Sequence, residues 1–157
     1  MPYFEIGIYH PKTEMNVGTL WRSASQLGAA GIFTVGRRYR KQSSDTYDTN
    51  RNIPLRHYNT VDDFLATRPH GAELIGVEMG GTPVSRFTHP NQAIYLLGAE
   101  DNGLPPTVIK ICNRIVSLEA VNQPSFNVAV AGSIIMYHRQ FLGIDRGIAL
   151  GRINREG

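Results

Sequence analysis

The sequence predicts an α/β domain, a parallel sheet with helices on both faces. Three observations predict it. Six short runs, most of them apolar, fall at 4–9, 31–36, 55–58, 72–78, 93–98 and 114–118, and they alternate with helical or polar segments. The apolar runs are nearly continuous, as in strands buried on both faces. The 157 residues are 41% hydrophobic and 18% charged, enough for the core of one domain, residues 1–157, without a disulfide or metal.

Each element has a local reason. FEIGIY (4–9) opens the sheet. A helix follows from Asn16 to Gly28, because Val17, Leu20, Ala24 and Leu27 recur at helical period. GIFTVG (31–36) is the second strand, and a long polar stretch runs to about Asn52. LRHY (55–58) is a short third strand. Thr60 caps a helix whose first turn carries Asp62 and Asp63, where the helix dipole favours them. AELIGVE (72–78) is expected to end at the GGTP turn, and AIYLLG (93–98) is the fifth strand. Pro105 and Pro106 start a helix that runs to about Cys112. After RIVSL (114–118) comes a final helix with the apolar stripe Phe126, Val130, Ile134, Tyr137 and Phe141. Val128, Ile135 and Leu142 lie off that stripe, more apolar surface than one sheet face needs.

Composition narrows the function. Cys112 is the only cysteine, which excludes an intramolecular disulfide and a cysteine-rich zinc site. The five histidines have no metal-ligand spacing, so no metal is expected. No apolar run reaches the ~18 residues of a membrane span, and the N-terminus lacks a secretory pattern; a cytoplasmic protein is expected. The net charge of +3 is local: residues 37–56 carry +4 through Arg37, Arg38, Arg40, Lys41, Arg51 and Arg56 against Asp45 and Asp48. Arginine forks suit phosphate, so this segment reads as an RNA-backbone contact or as a solvated basic loop.

Three constellations carry chemistry. NVGTLWR, Asn16 to Arg22, follows the first strand at its carboxyl end, where open α/β sheets place ligands. Asn16 reads as an N-cap or a site residue, and Arg22 as a surface ion-pair partner or a functional group. LLGAEDNGLPP puts Gly98 at a strand end, with Glu100 and Gly103 in a sharp turn. Gly98 is expected to let a ligand approach the backbone. VSLEAVNQPSFNVAVAGS sets Ser125 and Asn127 at the start of the last helix, with Ser125 as its expected cap.

In order and separation, the three blocks resemble the motifs of the SpoU/TrmH branch of the SPOUT RNA methyltransferases, over residues 4 to about 142. Motif one is similar at Asn16, Gly18 and Arg22; motif two at Gly98, Glu100, Gly103 and Leu104; motif three at Ser125, Asn127 and Val128. Met15 and Ser117 stand where that family commonly has prolines. The resemblance implies a 2′-O-ribose methyltransferase that uses S-adenosyl-L-methionine on RNA, most closely the small tRNA-modifying members. It implies a C-terminal deep trefoil knot, a homodimer and an active site shared between subunits. Cofactor contacts would fall at Val77, Gly98, Val116, Leu118 and Ser125, and catalytic roles at Arg22, Asn16, Glu100, Ser125 and Asn127. Methylation of rRNA by the same chemistry, a non-catalytic RNA-binding relative and an unrelated nucleotide-binding module are the competing readings.

Overall fold

The computed structural model describes residues 2–37, 53–99 and 102–143. The strands are β1 (Tyr3–Tyr9), β2 (Gly31–Val35), β3 (Leu55–Tyr58), β4 (Glu73–Pro83), β5 (Gln92–Leu97) and β6 (Arg114–Ser117). They form one sheet in the order β3-β2-β1-β5-β4-β6, with every neighbouring pair parallel. Parallel neighbours require crossovers. Helices α1 (Glu14–Gln26), α2 (Val61–Thr67) and α3 (Pro106–Ile111) lie in such connections, and α4 (Val128–His138) follows β6. Among the described residues no helix is long and apolar enough to cross a membrane.

Both sheet faces are covered, as the continuous apolar strands require. Phe4, Ile6, Ile8, Tyr95 and Leu97 pack with Val17, Leu20, Trp21, Ile135 and Met136 on the α1 and α4 side. Phe33, Val35, Leu74, Ile94 and Leu96 pack with Phe64 and Val108 on the other. Gly7 leaves the room that the Phe33 ring fills; a Cβ there would stand 2.3 Å from it. Phe33 in turn stacks on Phe64, ring centres 4.7 Å apart.

Four local expectations are corrected. Helix α1 is capped by Thr13, whose hydroxyl accepts from the Asn16 N–H at 3.3 Å, so Asn16 is inside the first turn and buried. Helix α4 is capped by Asn127 rather than Ser125. The stripe expected to face the core is largely the solvent face: Val130, Tyr137 and Phe141 are 47%, 54% and 59% exposed. The buried face is Val128, Ala129, Ala131, Gly132, Ile135 and Met136. Small residues win there because α1 comes close; a Cβ on Gly132 would lie 2.4 Å from Leu20. Finally, β4 does not stop at the glycines. It is interrupted between Val77 and Thr82, both registered on Val116 of β6, and then pairs on to Pro83.

Helix α4 runs into a π-helical turn, Arg139–Gly143, that buries Arg139 completely. The guanidinium donates to the carbonyls of Pro90 at 2.6 Å, Asn91 at 2.8 Å and Tyr3 at 3.3 Å, and to the Tyr95 hydroxyl at 3.1 Å. Tyr95 is 2.6 Å from His89 Nδ1, and His89 Nε2 is 2.8 Å from His138 Nδ1. Burial, then the charges of His138, Arg139 and Arg114, push the His89 imidazole down to about 3 from its ordinary 6.5. A depressed folded value means that only the unfolded chain takes up the proton readily. This contribution is complete above about pH 6.5 and is lost as pH falls toward 3. Urea unfolding is expected to show about 2 kcal/mol less stability at pH 5 than at pH 7. Equal stabilities would mean that the ring charges without opening the network.

Candidate functional site

The interruption of β4 and the carboxyl ends of β5 and β6 surround a cleft of about 310 Å³, at the edge where open α/β sheets take ligands. Its walls include Val77, Leu97, Leu118, Phe126 and Val128, and its polar groups include Glu78, Asn102 and Ser125. Of the positions expected to hold a cofactor, Val77, Gly98, Leu118 and Ser125 line this one cleft. Val116 does not. It is fully buried in β6, in register with both Val77 and Thr82 of β4.

The turn after β5 is held by its own backbone. The Gly103 N–H donates to the Ala99 carbonyl at 3.0 Å. A Cβ at Gly98 would lie 2.3 Å from the Gly103 carbonyl carbon and 2.6 Å from the Leu104 nitrogen. Glycine at 98 is therefore required by the approach of the chain to itself.

The interruption in β4 forms the facing wall. The Ser117 hydroxyl donates to the Glu78 carbonyl and accepts from the Gly81 N–H, both at 2.6 Å. Ser117, one of the proline departures, thus pins both ends of the irregular segment. The Glu78 carboxylate accepts from the Met79 N–H at 3.0 Å through Oε1 and from the Leu104 N–H at 2.7 Å through Oε2. Glu78 went unnoticed in the sequence because it resembles the solvated end of a strand.

Motifs one and three meet directly. Asn127 Oδ1 accepts from the N–H groups of Ala129 at 2.9 Å and Val130 at 3.1 Å, while its Nδ2 donates to Asn16 Oδ1 at 3.0 Å. One side chain both caps α4 and ties it to α1. Arg22 is exposed on α1, off the face that buries Asn16, Val17, Leu20, Trp21 and Ala24, and it is not among the residues lining the cleft. Arg37 is exposed just after β2. Arg56 is committed to Glu5, 2.9 Å away, and is less free for phosphate than its place in the basic segment suggests. Glu100, Arg38, Arg40 and Lys41 lie outside the described residues.

Comparison with known proteins places this arrangement. Residues 3–137 match the SpoU rRNA Methylase family. The chain belongs to that family. A relative in Mycolicibacterium gilvum (strain PYR-GCK), named an uncharacterized tRNA/rRNA methyltransferase, is 25% identical over 128 residues; the match covers 77% of this chain and 41% of that protein. Solved structures share the fold. A chain described in connection with 2-OH methylation of C/U34 on tRNA superposes with a TM-score of 0.77 at 22% identity, covering 87% of this chain and 93% of that one. The A. aeolicus TrmH/SpoU tRNA modifying enzyme gives 0.77 at 17% identity, covering 89% and 75%. The SpoU methyltransferase AviRb from Streptomyces viridochromogenes, in complex with AdoMet, gives 0.73 at 24% identity, covering 87% and 56%.

Proposed function

We propose that this SpoU-family chain is an S-adenosylmethionine-dependent RNA 2′-O-ribose methyltransferase, with tRNA as its substrate. The observation that carries the reading is the cleft formed where the segments of motifs two and three meet. Its apolar walls suit an adenine base, and the Glu78 carboxylate, Asn102 and Ser125 suit the cationic and polar parts of the cofactor. The tRNA substrate is favoured by the neighbour described for tRNA 2-OH methylation, of which this chain spans 93%. The same reading includes the trefoil knot.

S-adenosylmethionine bound there would supply an electrophilic methyl group, taken by the ribose oxygen as sulfur keeps the C–S electron pair and the hydroxyl proton passes to solvent. The chain's part is to position and to stabilise charge. Arg22 is assigned to the phosphate beside the target ribose and to the forming alkoxide. A guanidinium holds its proton too tightly to act as a base. Asn16 and Asn127 would fix α1 against α4 so that the site keeps its shape, and Glu100 and Ser125 would orient the ribose and the cofactor. Arg37, Arg38, Arg40 and Lys41 would contact the RNA backbone. A homodimer accounts for two features together: Arg22 is outside the cleft of its own chain, and α4 with the π-helical turn after it exposes Val130, Tyr137, Phe141 and Leu142.

The test is methyl transfer from labelled S-adenosylmethionine to tRNA and to rRNA, followed by alkaline hydrolysis. Label in alkali-resistant dinucleotides of tRNA is the expected result. Label only in rRNA would move the substrate, and label in a base or none at all would overturn the reading.

A further inference from the structure

Glu78 is the only charged side chain among the described residues that line the cleft. The fold spends several contacts on setting it there. Its main chain is gripped by Ser117, its carboxylate takes the Leu104 N–H, and Gly103, at φ 61°, makes room: a Cβ at 103 would lie 2.3 Å from Glu78 Oε2. Both oxygens serve as acceptors, the role of an ionised carboxylate, and each keeps further acceptor capacity after its one backbone contact. Beside Val77, Leu97, Leu118 and Phe126, a fixed negative charge acts more strongly than it would in water.

We infer that Glu78 sets the charge preference of this cleft, favouring the sulfonium form of the cofactor over the thioether that remains after methyl transfer. This rests on the methyltransferase reading above. S-adenosylmethionine and S-adenosylhomocysteine differ by one methyl group and one positive charge. The apolar walls register little of that difference, whereas a carboxylate registers the charge. Glu78 is thus a specificity-determining residue: it strengthens binding of the donor and lets the spent product leave.

Calorimetry with each compound on the parent and on Glu78→Gln is the test. Glutamine keeps an acceptor oxygen for the Leu104 N–H, so the turn stays supported while the charge is removed. S-adenosylmethionine should bind Glu78→Gln roughly tenfold more weakly than the parent, with S-adenosylhomocysteine changed by less than about twofold. Equal losses for both would overturn the inference and leave Glu78 as a prop for the turn. Sinefungin, with an amine in place of the methylsulfonium, gives a check on the parent alone. Binding closer to S-adenosylmethionine than to S-adenosylhomocysteine is expected, and the reverse order overturns the inference even if the variant does not fold. A parent that binds none of the three compounds overturns the methyltransferase reading itself.

Discussion

Arg22→Ala is expected to lower single-turnover methylation of tRNA by roughly 10²- to 10³-fold while S-adenosylmethionine affinity and stability stay near the parent's. The separation follows from where the side chain sits. Arg22 is exposed on α1, opposite no core position, so its loss opens no cavity. It does not line the cleft, so the cofactor should not register its absence. What would be lost is charge delivered to RNA as the ribose oxygen becomes nucleophilic, a contribution made in the transition state. Arg22→Lys keeps the charge but loses the planar fork that grips a phosphate through two donors, so it should restore little. A merely surface ion pair would matter by ~0–1 kcal/mol and leave turnover alone. A near-parent rate for Arg22→Ala would remove motif one from the chemistry.

The sheet was legible because its signal is local. Apolar runs bounded by turn residues marked every strand but the short LRHY of β3, and the observed boundaries of β1, β2, β3, β5 and β6 fall within a residue or so of the expected ones. The errors fell where a distant residue decides. GG after Glu78 reads as the end of a strand, yet β4 resumes because the Ser117 hydroxyl, 39 residues away in sequence, bridges the break. In α4 the largest apolar side chains suggested the buried face. The close approach of α1 instead gave that face to Ala129, Ala131 and Gly132, leaving Tyr137 and Phe141 outside. Periodicity ranks faces by hydrophobic size, and helix packing at short range ranks them by smallness.

The site was legible as residue types and not as contacts. Asn16 and Asn127 were both singled out, but their hydrogen bond joins positions 111 apart in sequence, which spacing cannot reveal. Glu78 has no local signature at all: its importance comes from the turn after β5, which brings the Leu104 N–H to it. Buried Arg139 was likewise silent in the sequence, because the carbonyls it satisfies belong to β1 and to the segment before β5.

Gly98→Ala is expected to be among the most disruptive single-methyl additions in the molecule. All three nearest neighbours of the added carbon are backbone atoms of Gly103 and Leu104, between 2.3 and 2.6 Å away. No side chain can rotate aside, so the turn itself must open. Opening breaks the Gly103 to Ala99 hydrogen bond and the Leu104 to Glu78 hydrogen bond, and it drags Leu104 from the core where it packs near Val108. The expected cost is about 3 kcal/mol or more of stability, with S-adenosylmethionine affinity reduced by at least about 100-fold. Gly80→Ala is the matched control. Gly80 lies in the interruption of β4 and has φ 85°, but a Cβ there meets nothing within 4 Å. Its cost should therefore be the backbone strain alone, about 1–2 kcal/mol. Urea unfolding and calorimetry on the two variants decide the matter. Parent-like stability and affinity in Gly98→Ala would mean that the turn yields freely, and that its contact with Glu78 does not shape the cleft.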